Sequence, residues 1–82
     1  MKDRFIPKDP SESVRESLDG FGEGKIRFRE MFYDREKIEH RFRFSDGEKS
    51  VTVTMPAFSG IGDWPRSVRE IAIYLIETKR EG

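Results

Sequence analysis

The chain has 82 residues, 34% hydrophobic and 39% charged, and its sixteen basic residues balance sixteen acidic ones. One domain's worth of chain with no net charge has no long-range field to steer it onto DNA or an anionic lipid surface. It contains no cysteine, which excludes a disulfide framework, a thiolate zinc site and a cysteine nucleophile.

Residues 1–8 read as an N-terminal arm with one apolar pair, Phe5 and Ile6, stopped by Pro7. A short strand and an arm packed on the domain both satisfy that pattern. The charged start lacks the apolar centre of a signal peptide, and no stretch approaches the 18 apolar residues of a membrane span, so the expected setting is cytoplasmic. Residues 9–82 form a single domain. It opens on a short helix, about residues 10–19, with Asp9 as cap, Pro10 in the first turn and Glu12 placed as in a capping box. Gly20 ends it, and Gly20-Phe21-Gly22-Glu23-Gly24 is a connection.

From Lys25 to Tyr33, and again from Lys37 to Phe44, apolar and polar residues alternate with period two, the signature of half-buried strands. Asp34-Arg35-Glu36 lies between them as a hairpin loop. Asp46-Gly47 marks the next turn, and Ser50 to Met55, rich in Val and Thr, is the last strand, closed by Pro56. After a loop holding Phe58 and Ile61, Asp63 caps a final helix that runs to about Arg80. Its apolar stripe is Trp64, Val68, Ile71, Ala72, Leu75 and Ile76, with Ile73 on the far side. Thr78-Lys79-Arg80 places cations where the helix dipole favours them. The fold class is therefore α+β, in the order α-β-β-β-α: a three-stranded antiparallel sheet with two helices packed on one face.

The pattern also predicts register, since a slip of one residue turns every side chain over. Pairing Phe32 with Ile38 sets Phe28 opposite Phe42 and Ile26 opposite Phe44. Pairing Phe44 with Val51 sets Phe42 opposite Val53 and His40 opposite Met55. One face then carries Ile26, Phe28, Phe32, Ile38, Phe42, Phe44, Val51, Val53 and Met55 as the core. The other brings Arg29 opposite Arg41 and Arg27 opposite Arg43. Like charges facing each other on a sheet are destabilising, so Arg27, Arg29, Arg41 and Arg43 form a local conflict and a candidate anion- or nucleic-acid-binding face. On this reading, removing Arg41 costs little or stabilises. The competing reading is a solvated face whose arginines pair with nearby glutamates.

Glu30 and His40 fall opposite each other in this register, half of a general-base arrangement with no nucleophile beside it. A hydrogen-bonded pair at the sheet's uncovered margin, satisfying two polar groups, is the favoured explanation. The lone histidine argues against zinc. Gly20, Gly22, Gly24 and Lys25 fail as a phosphate loop, because a helix precedes them and Ile26 and a strand follow. Phe58, Ile61 and Trp64, with Arg66, Arg69 and Ile73, are the candidate protein-interface residues, since Trp, Phe and Arg anchor interfaces. The bland alternative folds the three apolar ones over the end of the core.

The order of elements resembles the double-stranded-RNA-binding domain in outline. That family's contacts use a basic run at the head of the last helix and a long loop between the first two strands. Here the helix begins Asp63-Trp64-Pro65-Arg66 and the loop is Asp34-Arg35-Glu36, so the motif is absent and the family is not assigned. The sequence points to a small non-enzymatic protein-binding module: a regulator, inhibitor or accessory subunit, monomeric or homodimeric. It implies no catalytic residues, cofactor, metal or membrane. One alternative is nucleic-acid or polyanion binding through the arginine cluster; another is a sequence designed for its fold alone, with no biological function.

Overall fold

The structure, a computed structural model, describes residues 5–60 and 62–81. Its elements are β1 (Phe5–Lys8), α1 (Glu12–Asp19), β2 (Arg27–Asp34), β3 (Glu39–Ser45), β4 (Ser50–Pro56) and α2 (Trp64–Glu81). The expected α-β-β-β-α order and antiparallel meander are present. The arm adds a strand: β1 pairs antiparallel with β2, making a four-stranded sheet ordered β1-β2-β3-β4.

Helix α1 starts two residues later than expected. Ser11, not Asp9, caps it, its hydroxyl accepting from the Val14 N–H at 3.4 Å. Gly20 closes it in the left-handed conformation (φ 67°) with its N–H on the carbonyls of Glu16 and Ser17. Only glycine fits there, because a Cβ would overlap the Arg69 guanidinium as well as straining the backbone.

The core lies between the helices and one sheet face. It comprises Leu18 of α1, Phe28, Met31, Phe42, Phe44, Val51, Val53 and Met55 of the sheet, and Val68, Ala72 and Ile76 of α2. The register expected between β3 and β4 is observed, with Phe44 opposite Val51, Phe42 opposite Val53 and His40 opposite Met55. Between β2 and β3 it is not. Phe28 faces Phe44, Met31 faces Phe42, and Phe32 faces Arg41.

Two local features move this register. The hairpin loop spans residues 35–38, one residue longer than expected, and ends on Ile38 in the left-handed region (φ 53°). Asp34 fixes that turn: its Oδ1 accepts from the N–H groups of Glu36 (3.0 Å) and Lys37 (3.2 Å). A bulge between Phe28 and Glu30 then inserts Arg29 as an extra residue. Strict alternation would have turned Glu30 toward the helices. The bulge reverses the phase, so Met31 is buried, while Phe32 is only half-buried and Ile38 is exposed in the loop. Neither Phe32 nor Ile38 is a core residue.

Helix α2 presents Val68, Ala72 and Ile76 inward, with Trp64 and Leu75 packed against the core margin. Ile71, expected in the apolar stripe, is 48% exposed, as Tyr74 is at 66%. Ile73 is half-buried and lines a recess with Ile26 and Arg69.

Candidate functional site: the sheet surface and its edge

The four arginines do not form two opposed pairs. Arg27 faces Ser45, and Arg43 faces Glu30; Arg41 faces Phe32, and Arg29 is the bulged residue. Each of the three within the ladder also has a carboxylate. Arg27 donates to Asp19 of α1 at 3.1 Å, and Arg43 binds Glu30 across the strands. Arg41 Nε lies 3.3 Å from Glu39 and 3.8 Å from the buried carboxylate of Asp34. The repulsion between Arg29 and Arg41 inferred from sequence is therefore absent, and removing Arg41 takes a partner from Asp34. The open face does hold a shallow recess of about 240 Å³ lined by Phe32, Arg41, Arg43 and Thr52.

Glu30 and His40 are not neighbours, because the bulge sends Glu30 to the open face. His40 stands on the helix face between Tyr33 (ring centroids 5.3 Å) and Phe42 (6.2 Å), and Phe42 continues the aromatic row to Trp64 at 5.4 Å. The His40 Nδ1 is buried with no hydrogen-bond partner. Burial, and secondarily the charge of Lys8, holds its imidazole below the usual histidine range. Among the described residues no carboxylate meets the buried Nδ1 to orient the ring for general-base work. Among the described residues no group of three or more His, Asp or Glu side chains converges as metal ligands, and no helix is long and apolar enough to cross a membrane.

The candidate interface residues separate. Phe58 is 88% exposed, and Arg66 is exposed with an i,i+4 pairing to Glu70 at 3.3 Å. Trp64 packs on Phe42 at the end of the core. Arg69 donates to the carbonyls of Ile26 (3.2 Å) and Glu23 (2.9 Å), tying α2 to the connection before β2. Ile61 lies outside the described residues.

Sequence reasoning passed over the edge of β4. The turn bond from Asp46 N–H to Lys49 O and the closing bond from Ala57 N–H to Ile38 O, both 3.1 Å, lie in the same register as the β3–β4 pairs. Antiparallel ladders alternate bonded and non-bonded pairs. Val51, Val53 and Met55 thus direct their N–H and C=O groups to β3, while Ser50, Thr52 and Thr54 direct theirs outward, where the sheet has no further strand among the described residues. Ser50 O is met at one end by Lys79 Nζ (2.8 Å). Beneath the edge runs one flank of α2, where Leu75, Thr78 and Lys79 share a recess with Ser50, Val51, Thr52 and Arg43. Exposed Ile71 is one helical turn from Leu75 and extends this flank, and Tyr74, one turn from Thr78, stands further round the helix toward solvent. The signal was in the sequence: residues 50–62 carry no charge in a chain that is 39% charged.

No known protein family, no curated protein and no solved structure matches this chain.

Proposed function

We propose that this protein is a non-enzymatic protein-binding module that receives its partner along the β4 edge and the adjoining flank of α2. The observation that carries the reading is the coincidence of a seven-residue uncharged edge strand with a large exposed side chain on the adjoining flank, Ile71, and a second, Tyr74, further round the same helix. Strand edges supply backbone hydrogen bonds for an added strand, and aromatic and aliphatic neighbours supply the buried area. Affinity capture with the immobilised chain tests it. Proteins retained by the wild type are expected to be lost with Ile71→Glu or Tyr74→Glu and kept with Arg66→Ala, which lies on the other side of the helix. Retention unchanged by both flank variants overturns the reading.

The alternative is polyanion binding at the recess lined by Phe32, Arg41 and Arg43. It must compete with the carboxylates that already hold both arginines. Two phosphate contacts there give a slope of roughly −2 in log K against log salt. A short duplex and a single strand titrated at two salt concentrations test it, and no binding at low salt removes it.

A further inference from the structure

We infer that the partner accepted by the β4 edge is a second copy of this chain, paired antiparallel through β4 with Val53 on the two-fold axis, so that two sheets become one of eight strands. This rests on the docking reading of the same surface and names its occupant.

The hydrogen-bonding pattern of the edge is self-complementary. With Val53 on the axis, Thr52 of one copy stands opposite Thr54 of the other, twice over. Both residues direct N–H and C=O outward, and directly opposed residues of that kind exchange two bonds. The two pairs therefore make four. The next pair outward sets Ser50 opposite Pro56. Proline has no N–H to give, and Ser50 O already has a donor, Lys79 Nζ at 2.8 Å. The missing donor of one copy thus meets an acceptor of the other that is already supplied, and neither is orphaned. The Ser50 N–H is left for Pro56 O, which already accepts from the Ser59 N–H at 3.2 Å and has a second lone pair. Centring the axis on Thr52 would instead ask Ser50 O to take Thr54 N–H on its second lone pair, beside Lys79 Nζ.

Charge agrees. The edge residues Ser50, Thr52, Thr54 and Pro56, and Ile71, Leu75 and Thr78 on the flank, are uncharged. The two cations in the edge recess are already engaged, Arg43 by Glu30 and Lys79 by Ser50 O. In the dimer the β3 backbones lie three strand spacings apart, about 14 Å, beyond the roughly 8 Å screening length of physiological salt. The antiparallel arrangement also carries Lys49 and Lys79 of the two copies to opposite ends of the interface. On the open face Thr52 packs on Thr54 of the other copy, a favourable cross-strand pair. On the helix side the two α2 flanks approach.

Size agrees as well. Seven residues of strand run about 24 Å, and a sheet with its helix layer is roughly 20 Å deep. The footprint is ~500 Å² per copy and ~1,000 Å² in all, at the lower bound for a specific interface. A reversible dimer of micromolar affinity is expected.

Sedimentation equilibrium on the full chain reads this directly. The wild type is expected to move from 9.7 kDa toward twice that mass across the micromolar range. Thr52→Pro removes an outward N–H without touching the bonds to β3, and it should weaken association at least tenfold. Ile71→Glu, on an exposed helix position, should do the same and keeps the test alive should the proline disturb the strand. The register is read by oxidising an equimolar mixture of Thr52→Cys and Thr54→Cys chains, since the protein has no cysteine of its own. The mixed disulfide should form readily and neither variant should crosslink with itself, because only opposed residues bring Cα atoms within the 4.4–6.8 Å that a disulfide spans. A wild type that stays monomeric overturns self-pairing; if captured proteins are still lost with Ile71→Glu, the docking reading survives without it. A dimer indifferent to both Thr52→Pro and Ile71→Glu uses another surface and overturns the inference.

Discussion

Replacing Asp34 by Ala tests whether one carboxylate sets the β2–β3 register. Asp34 is 3% exposed. It accepts two backbone N–H bonds from the turn and lies 3.8 Å from Arg41. Glu36 and Lys37 are exposed, so water replaces the lost acceptor and each bond is worth about 1 kcal/mol net. Arg41 keeps Glu39 at 3.3 Å, so its share is at most about 1 kcal/mol. The expected loss is about 2–3 kcal/mol. With a urea m-value near 1 kcal/mol/M for a chain this small, the midpoint falls by about 2–3 M. Asp34→Asn keeps Oδ1 as an acceptor and should lose only about 1 kcal/mol. Urea melts followed by circular dichroism measure both. An Ala variant within about 0.5 kcal/mol of wild type, or an Asn variant as damaged as Ala, would refute this account of the hairpin.

Ile38→Gly should raise stability by roughly 1 kcal/mol, because a β-branched residue is exposed there at φ 53°; a lower melting temperature contradicts this. Phe42→Ala should lose about 3–5 kcal/mol and Phe32→Ala distinctly less, since Phe42 is fully buried and Phe32 stands on the open face; equal losses in urea would mean that the bulge does not reverse the strand. Arg69→Ala should cost about 1–3 kcal/mol by releasing two carbonyls at the foot of α1, and calorimetry that finds no change dismisses the clamp. Burial, and secondarily the charge of Lys8, holds the folded pKa of His40 below the usual histidine value of about 6.5. The neutral ring is the form that folding favours, so this contribution is present above 6.5 and is lost as pH falls through the depressed value. His40→Phe should flatten stability against pH across that acid window, and an unchanged profile would assign the slope to other groups.

The sequence made most of this fold legible wherever one periodicity ran unbroken. β4 alternates strictly, Asp46-Gly47 closes its hairpin, and the β3–β4 register follows. β2 was misread because period two was carried through Arg29, where the structure spends an extra residue. The one mark of the bulge was Glu30 itself, a charged residue that unbroken alternation set on the apolar face under the helices. Loop length erred for a related reason. Asp34 was assigned to the loop, although its backbone belongs to β2 and its side chain organises the turn. The apparent arginine conflict was a product of that slip. Once the register moves, each of Arg27, Arg41 and Arg43 meets a carboxylate, and the like-charge conflict that singled them out is gone.

The two edges of the sheet supply the contrast that the register hides. β1 is four residues long, contains Pro7 and ends on Lys8, and its neighbour β2 carries the bulge. These are the devices by which edges avoid pairing with another chain. β4 has none of them along its centre: seven residues, no bulge, proline only at its last position, and threonine where an outward lysine would block association. A shortage of charge does not explain this, since 39% of the chain is charged. Nor does strand propensity, because β3 tolerates Glu39, Arg41 and Arg43 on the same open face. Within one small sheet, one edge is guarded and the other is left smooth, neutral and matched to itself. That asymmetry is what an edge kept open for pairing requires, and it makes Thr52→Glu with Thr54→Glu the most economical way to close it. Four glutamates would then crowd one interface in the dimer, whereas in the separated chains each stands opposite an arginine of β3, Arg43 or Arg41. The double variant should therefore abolish association while leaving the unfolding free energy of the monomer within about 0.5 kcal/mol of wild type, and a loss of stability as large as the loss of association would mean that β4 is smooth for the sake of folding rather than of partnership.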